Sequence, residues 1–216
     1  MAVSRKNSRR RLLVEGPDDR HTVIHLMQRH VDDWDTRAEP VDVSETGGFP
    51  PLRDSALPNL LSGGYTHAGV VVDADASASK RWNELRAVCQ AHGVALPDQP
   101  DPAGTVLFDS GQPRKRFGVW LMPDNVNPGA LEHFLATLIP TGDACWALAG
   151  EAVKDANANT CAPGDLMKHR VRTWLAWQDD PGYPGMPPGQ ALKTGALRHD
   201  SPEALAFVDW FRRLFD

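Results

Sequence analysis

The chain has 216 residues, 41% apolar and 24% charged, with a formal net charge of −5. That length supports one substantial α/β domain with extensions, and the composition excludes the disordered and fibrous classes. The acidic balance argues against coating nucleic acid through a general positive field, while leaving room for a local basic groove. The longest apolar runs, Ala68 to Val72 and Gly118 to Met122, are too short to cross a bilayer. The basic stretch 1–11 leads straight into Leu12-Leu13-Val14-Glu15, with no apolar segment or small-residue cleavage site, so no membrane association and a cytoplasmic location are expected. Cys89, Cys145 and Cys161 form no C-x-x-C pair and are expected to be small core residues.

In chain order, short β-like runs alternate with amphipathic stretches, the pattern of a mainly parallel sheet covered by helices. Arg11 to Glu15 reads as the first strand, and Gly16-Pro17-Asp18-Asp19 as a strand-to-helix turn. Val23, Leu26, Met27 and Val31 form the stripe of the helix that follows. Val41 and Val43 mark a second strand, a Gly47-Gly48 turn follows, and Phe49 to Leu61, broken by three prolines, is at best partly helical. Ala68 to Asp73 reads as a central strand buried on both faces. Ser77 or Ser79 caps the next helix, with Trp82, Leu85, Val88 and Cys89 on one face. Thr105 to Phe108 and Arg116 to Met122 read as strands, and Pro128 to Ile139 as a helix. Beyond Pro140 the periodicity is helical, over 143–156, 165–177 and 202–215, with a Gly/Pro-rich loop over 180–189. Leu205, Val208, Phe211 and Leu214 form the last stripe. Residues 1–140 are thus expected to form the α/β domain, and 141–216 a helical extension packed on it.

Glu15 ends the first strand, and Asp73 and Asp75 end the most buried one. Carboxyl ends of central parallel strands converge on one crevice, so these carboxylates would repel unless protonated or neutralised. All-oxygen ligation favours Mg²⁺ or Mn²⁺. Asp124 and Glu132 follow another strand end and are candidates for a second metal position, with Asp19 a further one. Against this stand simpler readings: Asp124-Asn125 as a turn, Glu132 facing solvent, and Asp19 as a favourable charge at a helix start.

Leu13-Val14-Glu15-Gly16-Pro17-Asp18-Asp19 followed by Val70-Val71-Val72-Asp73-Ala74-Asp75 resembles the signature of the Toprim family. That family occurs in primases, type IA and II topoisomerases, OLD-family nucleases and the small ribosomal-RNA maturation nuclease. The stretches 118–125, 129–132 and 173–178 are similar, more narrowly, to a bacterial Toprim-like group related to OLD-type nucleases. The resemblance implies Glu15 as metal ligand and general acid or base, and Asp73 and Asp75 as Mg²⁺ ligands. It also implies a basic residue near the metals, for which Lys168 is the candidate, with a surface lysine as the alternative. The function implied is a metal-dependent phosphodiesterase acting on DNA or RNA. A separately encoded ATPase partner, a role in anti-phage defence and an oligomer are compatible with that reading. No Gly-x-x-x-x-Gly-Lys-Ser/Thr occurs in the chain itself. Only Tyr65 and Tyr183 are present as tyrosines, in loop-like contexts that disfavour a topoisomerase. The competing class is a non-catalytic module for protein assembly or for binding nucleotide or nucleic acid.

Phosphate contacts have three basic sources: Arg5, Lys6 and Arg9 to Arg11; Arg114 to Arg116; and Lys168 to Arg172. His21 and His25 lack a metalloprotease context and are expected at a surface or helix interface. Trp174 and Trp177, three apart on a helix, are expected in the core.

Overall fold

The alternating pattern produces five strands: β1 (Arg10–Val14), β2 (Val41–Glu45), β3 (His67–Asp73), β4 (Thr105–Phe108) and β5 (Arg116–Met122). The computed structural model describes residues 8–108, 115–159, 165–178 and 186–216. Strand order is β2-β1-β3-β5-β4, with β1, β2, β3 and β5 parallel and β4 antiparallel to β5. His67 to Val72 and Phe117 to Met122 are continuously buried, as central strands covered on both faces must be. The expected α/β architecture, a mainly parallel sheet flanked by helices with a helical C-terminal part, is what the chain forms.

Alternation along the strands divides the core in two. Leu12, Val14, Val71 and Trp120 face α1 (Pro17–His30), α5 (Leu131–Thr137), α7 (Leu166–Ala176), α8 (Pro188–Thr194) and α9 (Pro202–Phe215). Leu13, Val70, Val72 and Val119 face α2 (Phe49–Pro51), a π-helical turn Leu52–Ala56, α3 (Leu57–Ser62) and α4 (Ala78–Ala91). α6 (Ala144–Ala158) packs on α7. A close helix-to-sheet approach is made at Gly69 and Gly118, paired in register on β3 and β5. A Cβ there would lie 2.7 and 2.6 Å from Leu214 Cδ2, so the absence of side chains seats α9. Among the described residues no helix is long and apolar enough to cross a membrane.

Several local expectations are corrected. The proline-containing stretch after β2 is helical throughout, because its prolines fall in first-turn positions and the π turn absorbs the mismatch. α8 occupies the end of the expected Gly/Pro loop, starting at Pro188 and stopping at left-handed Gly195. Leu205 is exposed, and the buried stripe of α9 runs through Ala204, Phe207, Val208, Phe211, Leu214 and Phe215. Trp174 is fully buried, whereas Trp177, at the helix C-cap, is 47% exposed. Cys89 is a core residue and Cys145 is exposed. Ser77, not Ser79, caps α4. The expected helix over 128–139 begins only at Leu131, after Gly129 turns at φ 143°. Arg5, Lys6, Arg114, Cys161 and Tyr183 lie outside the described residues.

Candidate metal centre

The chain passes from β1 through α1 to β2 on one face of the sheet, then returns to β3 on the far side of β1 and leaves through α4 on the opposite face. The carboxyl ends of β1 and β3 therefore flank the point where the winding direction reverses, the place where open α/β sheets hold ligands. Glu15 follows β1 directly and Asp73 is the last residue of β3. The two are joined, since the Asp73 amide donates to Glu15 Oε1 at 2.9 Å.

Two further acids reach the same crevice. Asp19, in the first turn of α1, accepts from the Gly16 amide through Oδ2 at 3.1 Å. It is buried, and its Oδ1 is equally buried and makes no hydrogen bond. α5 brings Glu132, whose side chain is 14% exposed, and its Leu131 amide donates to Asp73 Oδ1 at 2.9 Å.

Burial, followed by the charges of Asp19 and Glu15, pushes Asp73 up to about 8 against the Leu131 amide, with Glu132 adding to the rise. Burial and then Glu15 push Asp19 up to about 7, with the Gly16 amide and its own amide opposing. Glu15 is raised as well, chiefly by burial, although the Asp73 amide and the Arg81 guanidinium pull it down. These acids thus repel one another in a low-dielectric crevice, and a cation or retained protons must offset the repulsion.

The other candidates lie at the rim. Asp75 adopts a left-handed conformation at φ 51° and pairs with Arg81. Arg81 is buried, with its guanidinium 3.4 Å above the Phe49 ring and Glu84 also within reach. Asp75 and Gly129 exchange backbone hydrogen bonds at 2.7 Å in both directions, clamping the turn after β3 to the loop that starts α5. Asp124 is turned away to its own loop, where it accepts from the Val126 and Asn127 amides and from Asn127 Nδ2. Partial burial raises its carboxyl, and these hydrogen bonds more than offset that and hold it below the usual range. Lys168 Nζ stands 3.7 Å from Glu132 Oε1. His21 and His25 stack on each other and carry Gly189 of α8 against them, a helix interface.

The structure therefore gathers Glu15, Asp19, Asp73 and Glu132, sets Lys168 beside them, keeps Asp75 at the edge on an arginine, and leaves Asp124 in a turn. Among the described residues no three His, Cys, Asp or Glu side chains already stand as a metal cage. The four acids form an electrostatically coupled cluster whose donors are all oxygen, and the unbonded Asp19 Oδ1 fits a hard cation. Sequence reasoning missed Arg81. Its signal was a charged residue beside Trp82 on a stripe otherwise apolar.

No curated protein and no solved structure matches the chain. A family model described as protein of unknown function, DUF3226, matches residues 9–216; that span takes in all five strands, every helix from α1 to α9 and all the carboxylates above, and the chain belongs to this family.

Proposed function

We propose that the chain is an Mg²⁺- or Mn²⁺-dependent phosphodiesterase acting on DNA or RNA. The observation that carries this reading is the convergence of Glu15, Asp19, Asp73 and Glu132 at the switch point between β1 and β3, with an Asp19 oxygen left without a partner. These four acids would hold the cation, and Asp75 would join only by leaving Arg81. When bound, the metal supplies neutralising charge and Lewis acidity for attack of water at phosphorus.

The residues contribute the rest. The Asp73 amide orients the Glu15 carboxylate by fixing Oε1, which places Glu15 to accept a proton from an attacking water. Lys168, 3.7 Å from Glu132, sits where a cation would stabilise charge on a leaving oxygen. The Toprim resemblance extends the proposal to a separately encoded ATPase as partner, and to anti-phage defence.

The second reading is a non-catalytic Toprim module for protein assembly or nucleotide or nucleic-acid binding. It is favoured by the Asp75–Arg81 ion pair, which already engages one carboxylate of the motif. Calorimetric titration with Mg²⁺ and Mn²⁺, together with cleavage assays on plasmid, single-stranded DNA and structured RNA, separates the two. Expected results are metal binding and cleavage that EDTA abolishes and Glu15→Gln reduces by at least about 100-fold. Cleavage undiminished in Glu15→Gln removes the assignment, and metal binding without cleavage of any substrate transfers it to the module.

A further inference from the structure

A cleft of about 310 Å³ opens directly beside the carboxylate cluster. Its walls are Leu131 and Leu135 of α5, Val171 and Leu175 of α7, and Met186 and Pro187 at the entrance to α8. We propose that this cleft is a nucleobase subsite, taking one base of a single-stranded or splayed nucleic acid next to the scissile phosphate. The inference rests on the phosphodiesterase reading and adds the form of the substrate to it.

Three observations carry it. The first is continuity: Leu131 gives its amide to Asp73 Oδ1 and its side chain to the cleft, and Glu132 belongs to both cluster and cleft. A group seated against Leu131 is therefore one residue along α5 from the acids. The second is chemistry. Most of the lining is aliphatic or proline carbon, which suits the faces of a planar base, and Asp18, Glu132 and Arg172 complete it with charge.

The third is the position of charge. Among the described residues, the cations nearest the cleft are exposed: Lys168 at 3.7 Å from Glu132 and Arg172, which also lines it, at 3.8 Å from Asp18, with side chains 51% and 60% exposed. Both cations are solvent-exposed and stand 3.7 and 3.8 Å from their partners, which leaves them able to turn to the phosphates on either side of a seated base. The volume lies at the lower end of ligand pockets, ~300–1,000 Å³, and is enough for one base. A second cavity, of about 380 Å³ and lined by Arg11, Ser44, Asn59 and Tyr65, touches none of the clustered acids and lacks this continuity.

The test compares thymidine 5′-monophosphate with 2-deoxyribose 5-phosphate, which differ only by the base, in calorimetric titrations of the full chain. The base-bearing probe is expected to bind about tenfold tighter. Ala176→Trp, which fills the cleft from an exposed position, is expected to erase that advantage at unchanged melting temperature. Arg172→Glu, at the exposed rim, is expected to weaken both probes equally. Equal binding of the two probes to the unaltered chain overturns the subsite, whether or not Ala176→Trp folds, and so does a base advantage that survives Ala176→Trp. Single-stranded DNA cleaved without any base advantage leaves the phosphodiesterase standing and removes the subsite. A base advantage erased by Ala176→Trp, with no cleavage under any metal, does the reverse.

Discussion

The two edges of the sheet treat charge in opposite ways. At the amino edge each of several arginines has a carboxylate or carbonyl partner. Arg10 reaches Glu39 and the Phe215 carbonyl, Arg11 pairs with Asp42, and Arg37 with Asp216. Arg116 and Arg213 donate to main-chain carbonyls of Arg213 and of Ala103 and Gly104. Even His67 is kept neutral there, driven down to about 4 by burial and then by Arg10 and Arg116. At the carboxyl edge Asp19, Asp73, Glu15 and Glu132 crowd together, with Lys168 3.7 Å away and Arg81 tied to Asp75. Charge that has partners costs the fold little, whereas like charge gathered in a crevice opposes it and marks a place where something else supplies the balance.

The largest effect tests what supports the acidic edge. Trp174 is fully buried under the helix that carries Lys168 and donates to Asp143 Oδ1 at 3.1 Å. Trp174→Ala should destabilise by ~3–5 kcal/mol in chemical denaturation; a much smaller loss would show that α7 is not a rigid wall.

The next tests the unmatched charge itself. Asp19 and Asp73, at about 7 and 8 against an ordinary 3.8, keep protons that the unfolded chain gives up. Without metal, the contribution of these two groups is full below about pH 4 and falls as pH rises to about 8, so Asp19→Asn with Asp73→Asn should raise stability at pH 8 by on the order of a few kcal/mol. Mg²⁺ should flatten the slope for the unaltered chain and do nothing for the double variant. Melting curves at pH 5 and 8 check both statements, and a flat metal-free profile breaks the comparison.

Smaller is the expected cost at the matched edge. Arg10→Ala leaves the Phe215 carbonyl without its guanidinium, for about 1–2 kcal/mol, with metal binding unchanged. A loss of metal affinity would mean that the two edges are coupled. Least of all should follow from Asp124→Asn, which retains a turn-forming oxygen: within about 0.5 kcal/mol, with calorimetric Mg²⁺ binding intact.

Legibility in the sequence tracked how local the physics was. Ala68 to Val72 announced a central strand because burial on both faces demands an unbroken apolar run, and Glu15, Asp73 and Asp75 were visible because strand ends of a parallel sheet share one edge. The register of α9 was legible through Val208, Phe211 and Leu214, whereas Leu205 and Phe207 exchanged roles because several apolar stripes fit one helix. Trp177 was missed as a surface residue since helical spacing alone cannot reveal that α7 ends at Ala176. The fate of Asp75 depended on Arg81, six residues on and across a left-handed turn. Asp19 and Glu132 were visible as acids, but the meeting of Glu132 with Asp73 goes through the Asp75–Gly129 clamp, which spans loops far apart in the chain.

The glycine pair beneath α9 also ties completion of the core to the late part of synthesis. Leu214 rests on Gly69 and Gly118, and Phe207, Phe211 and Phe215 share a core with Leu12, Val14 and Val71. During vectorial synthesis roughly 130 residues separate the completion of β3 from Phe207, on the order of 10 s at ribosomal speeds. Throughout that interval Gly69 lacks the helix that covers it. Closure of this part of the core therefore comes with α9 rather than with the strands that hold the acids.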